Sequence, residues 1–135
     1  MIRVLLADDE NLIRTALASL LAIQDDLEVV AQAASGDEAL AMARRHRPDV
    51  AVLDLQMPGL DGIAVAEKLV TELPACGSLI LTSYGRPGHL KRALAAGVRG
   101  FLPKTVSART WAETVLGRNP RTPAARALLR CPGRP

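Results

Sequence analysis

The stretch Val50-Ala51-Val52-Leu53-Asp54-Leu55-Gln56-Met57-Pro58-Gly59 decides how the chain folds. A short apolar run, rich in β-branched residues and bounded by Pro48 and Pro58-Gly59, predicts a fully buried strand. Such strands belong to parallel sheets covered on both faces. Asp54 falls at the carboxyl end of this strand. A carboxylate there is costly unless a cation, a metal or hydrogen bonds compensate it. Ligands of open α/β sheets bind beyond the carboxyl ends of the strands, so Asp54 stands where such a fold does its chemistry.

Outward from Asp54, strands and helices alternate. Ile2–Ala7 reads as a first buried strand, closed by Asp8-Asp9-Glu10. Leu12, Ile13, Ala16, Leu17, Leu20 and Leu21 are spaced for one face of a helix, with Asn11 as its N-cap. Leu27–Ala31 is a second strand, and Ser35 with Glu38 three residues on forms a capping box for a helix that Pro48 ends. After Asp54 come a loop at 57–62, a helix over Ile63–Glu72 stopped by Pro74, and a strand over Ser78–Thr82. Asp61 is read as a turn residue before Gly62. Pro87 opens a fourth helix that Gly97 closes, Val98–Leu102 is a fifth strand, and Ser107 starts a fifth helix. Five β-α units in succession predict a doubly wound α/β fold with right-handed crossovers and helices on both faces.

The totals agree with one domain. A chain of 135 residues, 49% hydrophobic, can bury one proper core and is too short for two. No apolar stretch reaches the roughly 18 residues of a membrane span. The amino-terminal apolar run ends in acids rather than a cleavage site, so a cytoplasmic protein is expected. Cys76 and Cys131 lack metal-ligand spacing and are read as incidental thiols. The net charge of +3 is unevenly spread: residues 1–113 hold 12 Lys/Arg against 14 Asp/Glu, whereas residues 114–135 hold five arginines and no acid. The basic character therefore belongs to the tail.

Each polar candidate follows a strand: Asp8 and Asp9 the first, Asp54 the third, Thr82 the fourth and Lys104 the fifth. In a parallel sheet these positions share one edge. Converging carboxylates repel one another unless a cation intervenes, and hard oxygen donors without His or Cys point to Mg²⁺. Lys104 adds a permanent cation that can pair with phosphate, and Thr82 a hydroxyl donor. That set suits phosphoryl transfer onto a carboxylate, with Asp54 as nucleophile.

Asp8-Asp9, Asp54 within L-D-L-Q-M-P-G-L-D-G, Thr82-Ser83 and Lys104 resemble the receiver domain of bacterial two-component response regulators. The D-D-E, M-P-G-L-D-G and A-L-A-A-G-V-R-G-F-L-P-K segments look like the branch that carries a LuxR-type helix-turn-helix output domain. The resemblance covers residues 1–116 and implies a flavodoxin-like five-stranded parallel sheet of order 2-1-3-4-5. It implies Asp54 as phosphoacceptor, Asp8 and Asp9 as Mg²⁺ ligands with Asp54, and a backbone carbonyl from Gln56. It also implies Thr82 as switch hydroxyl, Lys104 as phosphate contact and Phe101 as switch aromatic. A sensor histidine kinase is the implied donor, with dimerisation on phosphorylation, and catalysis is confined to the domain's own phosphorylation and dephosphorylation. Thr105 follows Lys104 where many family members have a cis-proline.

Residues 117–135, with four prolines from Pro120 onward, are expected to be a disordered remnant of a linker, without the output domain and without direct DNA binding. A haloacid-dehalogenase-type phosphatase would need a second aspartate where Gln56 stands. The rival retained is a receiver-fold interaction module that is not phosphorylated.

Overall fold

The computed structural model describes residues 2–23, 25–82 and 87–103; Thr82, 87–90 and 101–103 are described by backbone alone. The elements are β1 (Ile2–Ala7), α1 (Asn11–Ala22), β2 (Leu27–Ala33), α2 (Gly36–His46), β3 (Val50–Asp54), α3 (Gly62–Glu72), β4 (Gly77–Thr82), α4 (Pro87–Ala95) and β5 (Gly100–Pro103). The strands form one sheet in the order β2-β1-β3-β4-β5, with every pairing parallel. Val4–Ala7 lie opposite Val50–Leu53, and Val50–Asp54 opposite Gly77–Leu81. The strand ends carrying Ala7-Asp8, Asp54 and Thr82 therefore lie side by side.

The alternation of side chains along these strands makes two cores. Leu5, Ala51, Leu53 and Ile80 pack with Leu40 and Ala43 of α2 and Ile63, Ala66 and Leu69 of α3. Val4, Leu6, Val50, Val52, Leu79 and Leu81 face the other way, with Ala18 and Leu21 of α1. β3 is buried along its whole length, Val50–Leu53 as an apolar run requires and Asp54 with them. Asp49 trims the strand entry: its Oδ2 accepts from the Arg3 amide at 2.9 Å, and its own amide donates to the Arg3 carbonyl at 2.8 Å.

Local expectations change in several places. β5 is Gly100–Pro103 rather than Val98–Leu102. The N-cap of α1 is Glu10, not Asn11; Asn11 is already helical, and its Oδ1 accepts from Arg14 Nη2 at 2.7 Å. Leu12 and Leu20 do not join the buried stripe of α1, being 84% and 40% exposed; Leu21 is buried as expected, and Ala18 is buried beside it. β2 continues to Ala33, because Leu5–Ala7 pair with residues 31–33 beyond a register shift at Val4/Leu5. The caps of α2 and α4 follow the sequence. Ser35 accepts from the Glu38 amide at 3.2 Å. Gly97, at φ 83°, ends α4 with bonds from its own amide to Leu94 O and from the Val98 amide to Ala93 O.

α2 and α3 are clasped by Arg44, whose guanidinium donates to both carboxylate oxygens of Glu72 at 2.7 and 3.1 Å. That hydrogen bond, with the charge of Arg44, holds the Glu72 carboxyl below its ordinary pKa. A lowered carboxylate pKa stabilises the fold above the unfolded-state value, and the effect is lost as pH falls through the folded value. The stability difference between wild type and Glu72→Gln is therefore expected to be present at pH 7 and to vanish on acidification below the carboxylate range. Urea midpoints measured across that range check the sign.

Candidate functional site

The site lies at the carboxyl edge of the sheet, where β1 and β3 end next to each other. Asp8 is fully buried and Asp54 is 4% exposed, both carried there by buried strands. Asp9 and Glu10 are exposed. Carboxylate oxygens of Asp8, Asp9, Glu10 and Asp54 all lie within 4.8 Å of one another. Like charges so close repel by a few kcal/mol per pair at an effective dielectric of about 20. A divalent cation relieves this, and an all-oxygen donor set with two buried carboxylates fits Mg²⁺ chemistry.

The β1–α1 turn is fixed locally. Asp8 Oδ1 accepts from the Glu10 amide at 2.9 Å, and the Asp8 amide donates to Ala33 O at 3.0 Å. Arg14 of α1 donates to the Asp8 carbonyl at 2.7 Å, so one guanidinium holds the backbone that presents the acids. Neither Glu10 as a cluster member nor Arg14 as a brace is found by sequence reasoning. The D-D-E run is the only signal for Glu10, and no pattern marks Arg14.

The loop after Asp54 is equally constrained. The Leu55 amide continues the pairing with β4 through Leu81 O at 2.8 Å, and the Gly62 amide returns to Leu55 O at 3.1 Å. Asp61 is more than a turn residue. Its Oδ1 accepts from the Ala64 amide at 2.8 Å as the N-cap of α3, and its Oδ2 meets Arg92 Nη2 of α4 at 2.9 Å. Asp9, Leu55, Gln56, Met57, Pro58, Asp61 and Arg92 line a cavity of about 390 Å³ beside the acidic cluster. Asp8, Asp9, Asp54 and Gln56 are thus gathered at one edge. Thr82 ends β4 opposite Pro103, and Phe101 lies in β5 opposite Ile80, each placed by its backbone. Lys104, Thr105, the helix expected from Ser107 and the 117–135 tail lie outside the described residues.

A model of the response regulator receiver domain matches residues 4–116 of this sequence. The chain belongs to the response regulator receiver domain family. Among curated relatives, this receiver is 40% identical over 104 residues to the transcriptional regulatory protein DesR of Bacillus subtilis, covering 77% of the chain and 51% of DesR. It is 40% identical over 114 residues to the response regulator protein VraR of Staphylococcus aureus, covering 84% of the chain and 54% of VraR. The chain thus spans about half the length of these relatives. Among solved structures, the signal receiver domain of a NarL response regulator from Mycobacterium tuberculosis superposes with a TM-score of 0.83 at 33% identity, covering 85% of this chain and 93% of that one. A LuxR-family DNA-binding response regulator from Staphylococcus aureus gives 0.82 at 25% identity, covering 87% and 98%. The receiver is accordingly a response regulator domain of a two-component system, in an α/β fold built on a parallel sheet. Among its described residues no helix is long and apolar enough to cross a membrane.

Proposed function

We propose that this receiver is a phosphorylation-dependent switch in which Asp54 accepts a phosphoryl group from the phosphohistidine of a sensor kinase. The observation that carries this reading is the buried Asp54 carboxylate at the end of β3, inside a cluster with Asp8 and Asp9. A carboxylate oxygen of Asp54 attacks phosphorus while the P–N bond to the donor imidazole breaks, the electron pair staying on nitrogen. Positioning and charge stabilisation supply most of the catalysis in such transfers. Asp8, Asp9, Asp54 and the Gln56 carbonyl would hold Mg²⁺, which when bound neutralises charge on the transferring oxygens. Lys104 is assigned to the phosphoryl oxygens and the Thr82 hydroxyl to the oxygen newly placed on Asp54. Movement of Thr82 and Phe101 then biases a two-state surface around α4 and β5.

In this reading residues 1–116 form the five-stranded flavodoxin-like domain and 117–135 a separate tail. The domain is not an enzyme towards other molecules and works in the cytoplasm. It acts through a partner or a second copy of itself, and transcription is controlled through an output domain; the relative DesR is named a transcriptional regulatory protein.

Incubation of the chain with acetyl phosphate and Mg²⁺ is expected to add one phosphoryl group, seen by intact mass, and EDTA is expected to prevent it. Mg²⁺ binding without phosphoryl uptake would instead favour the interaction module.

A further inference from the structure

One acidic side chain, Asp61, and one arginine, Arg92, on the cavity beside Asp54 form a charged pair that the transfer chemistry above does not use. Arg92 Nη2 lies 2.9 Å from Asp61 Oδ2, with the two side chains 49% and 32% exposed. Asp61 cannot swing freely, because its other oxygen is committed to the Ala64 amide. α3 therefore fixes Asp61, and Asp61 fixes the guanidinium on the wall of the cavity that Asp9 and Gln56 also line. Among the described residues Arg92 is the one cation on that wall. Arg14, on the α1 side of the cluster, is engaged with Asp8 O, Asn11 and Gln32.

We propose that Arg92 is a positioning residue for the phosphoryl donor: its guanidinium attracts and orients the incoming phosphoryl dianion, and Asp61 attenuates that attraction. The inference rests on the receiver reading. A dianion approaching Asp54 meets the carboxylates of Asp9, Glu10 and Asp61 at or near the mouth, so a fixed cation there lowers the barrier to entry. A guanidinium is the side chain best shaped for this, since its planar fork matches phosphate oxygens. The pair is half exposed and screened by salt, so the effect is several-fold rather than several orders of magnitude.

An electrostatic role and a structural tie between α3 and α4 predict different signs. Arg92→Gln removes the cation, whereas Asp61→Asn removes the opposing charge and keeps an N-cap, because asparagine caps as well as aspartate. For acetyl phosphate, Arg92→Gln is expected to raise the half-saturating concentration about three- to tenfold with the maximal rate unchanged, and to flatten its salt dependence. Asp61→Asn is expected to lower it about two- to fivefold, and Arg92→Lys to restore most of the wild-type value. For Mg²⁺, titrated calorimetrically without donor, the signs reverse: tighter in Arg92→Gln and weaker in Asp61→Asn. Shifts in the same direction for both variants, or none in either, overturn the proposal and leave the pair a structural tie. No uptake by the wild type overturns the receiver reading and this inference together, whereas uptake with parallel shifts overturns this inference alone.

Discussion

Gly62→Ala is expected to lower the unfolding free energy by about 3 kcal/mol, near the upper end for overpacking a filled site. Gly62 is the first residue of α3, and its Cα faces the backbone of Asp54. A Cβ built there would collide with the Asp54 carbonyl oxygen and lie 3.0 Å from its carbonyl carbon and 3.3 Å from Ile80 Cδ1. A side chain could rotate away, but a carbonyl held within a buried strand cannot. Relief has to come from moving α3, and that strains the Gly62 amide bond to Leu55 O. The competing effect is the better helix propensity of alanine, worth at most about 1 kcal/mol and less at a first turn. The clash wins. Urea unfolding of the variant measures the loss directly, and stability equal to wild type would show that the loop over 55–62 yields at little cost. Because the clash falls on the carbonyl of Asp54, the proposed phosphoacceptor, the variant is also expected to respond less to Mg²⁺.

Asp8→Asn is expected to weaken Mg²⁺ binding by at least about tenfold, since a full charge within 4.8 Å of the other carboxylates of the cluster is deleted in a poorly hydrated place. The substitution keeps shape and one acceptor oxygen. The amide oxygen of the introduced asparagine can still receive the Glu10 amide, as Asp8 Oδ1 does at 2.9 Å in the wild type. The fold is therefore retained while the charge goes. Ligand linkage gives the readout: Mg²⁺ at about a hundred times its dissociation constant stabilises the wild type by about 2.7 kcal/mol, and the same concentration does much less for the variant. Melting temperatures measured against MgCl₂ concentration, with calorimetric titration beside them, check this. Equal shifts in both proteins would remove Asp8 from the metal site.

Much of the site is legible in the sequence because topology alone brings it together. β1, β3 and β4 each carry an apolar run (Val4–Ala7, Val50–Leu53 and Leu79–Leu81), so they read as interior strands, and parallel pairing then puts Asp8, Asp9 and Asp54 on one edge. The N-cap at Ser35 is legible for a local reason: its donor and acceptor are three residues apart. What sequence does not reveal depends on distances set by tertiary packing. The Arg92–Asp61 pair joins α4 to the start of α3 and the Arg44–Glu72 pair joins α2 to its end, and nothing local marks any of the four as partners. Leu12 is misplaced by its spacing because the apolar residues of α1 fit more than one stripe; Leu21 falls on the buried stripe as its spacing predicts, and only docking on β1 and β2 adds Ala18. The second strand runs two residues past its expected end because partner register, not the apolar run, sets where pairing stops.

The most direct test of the central claim is the mass of peptides from chain treated with acetyl phosphate and Mg²⁺, compared with Asp54→Asn treated in the same way. Asparagine keeps the size of the buried side chain and removes the nucleophilic carboxylate. One base-labile phosphoryl group on the peptide containing Asp54 in the wild type, and none in the variant, is the expected result. Equal phosphoryl incorporation in both proteins, or incorporation at another residue, would contradict the assignment of Asp54 as phosphoacceptor.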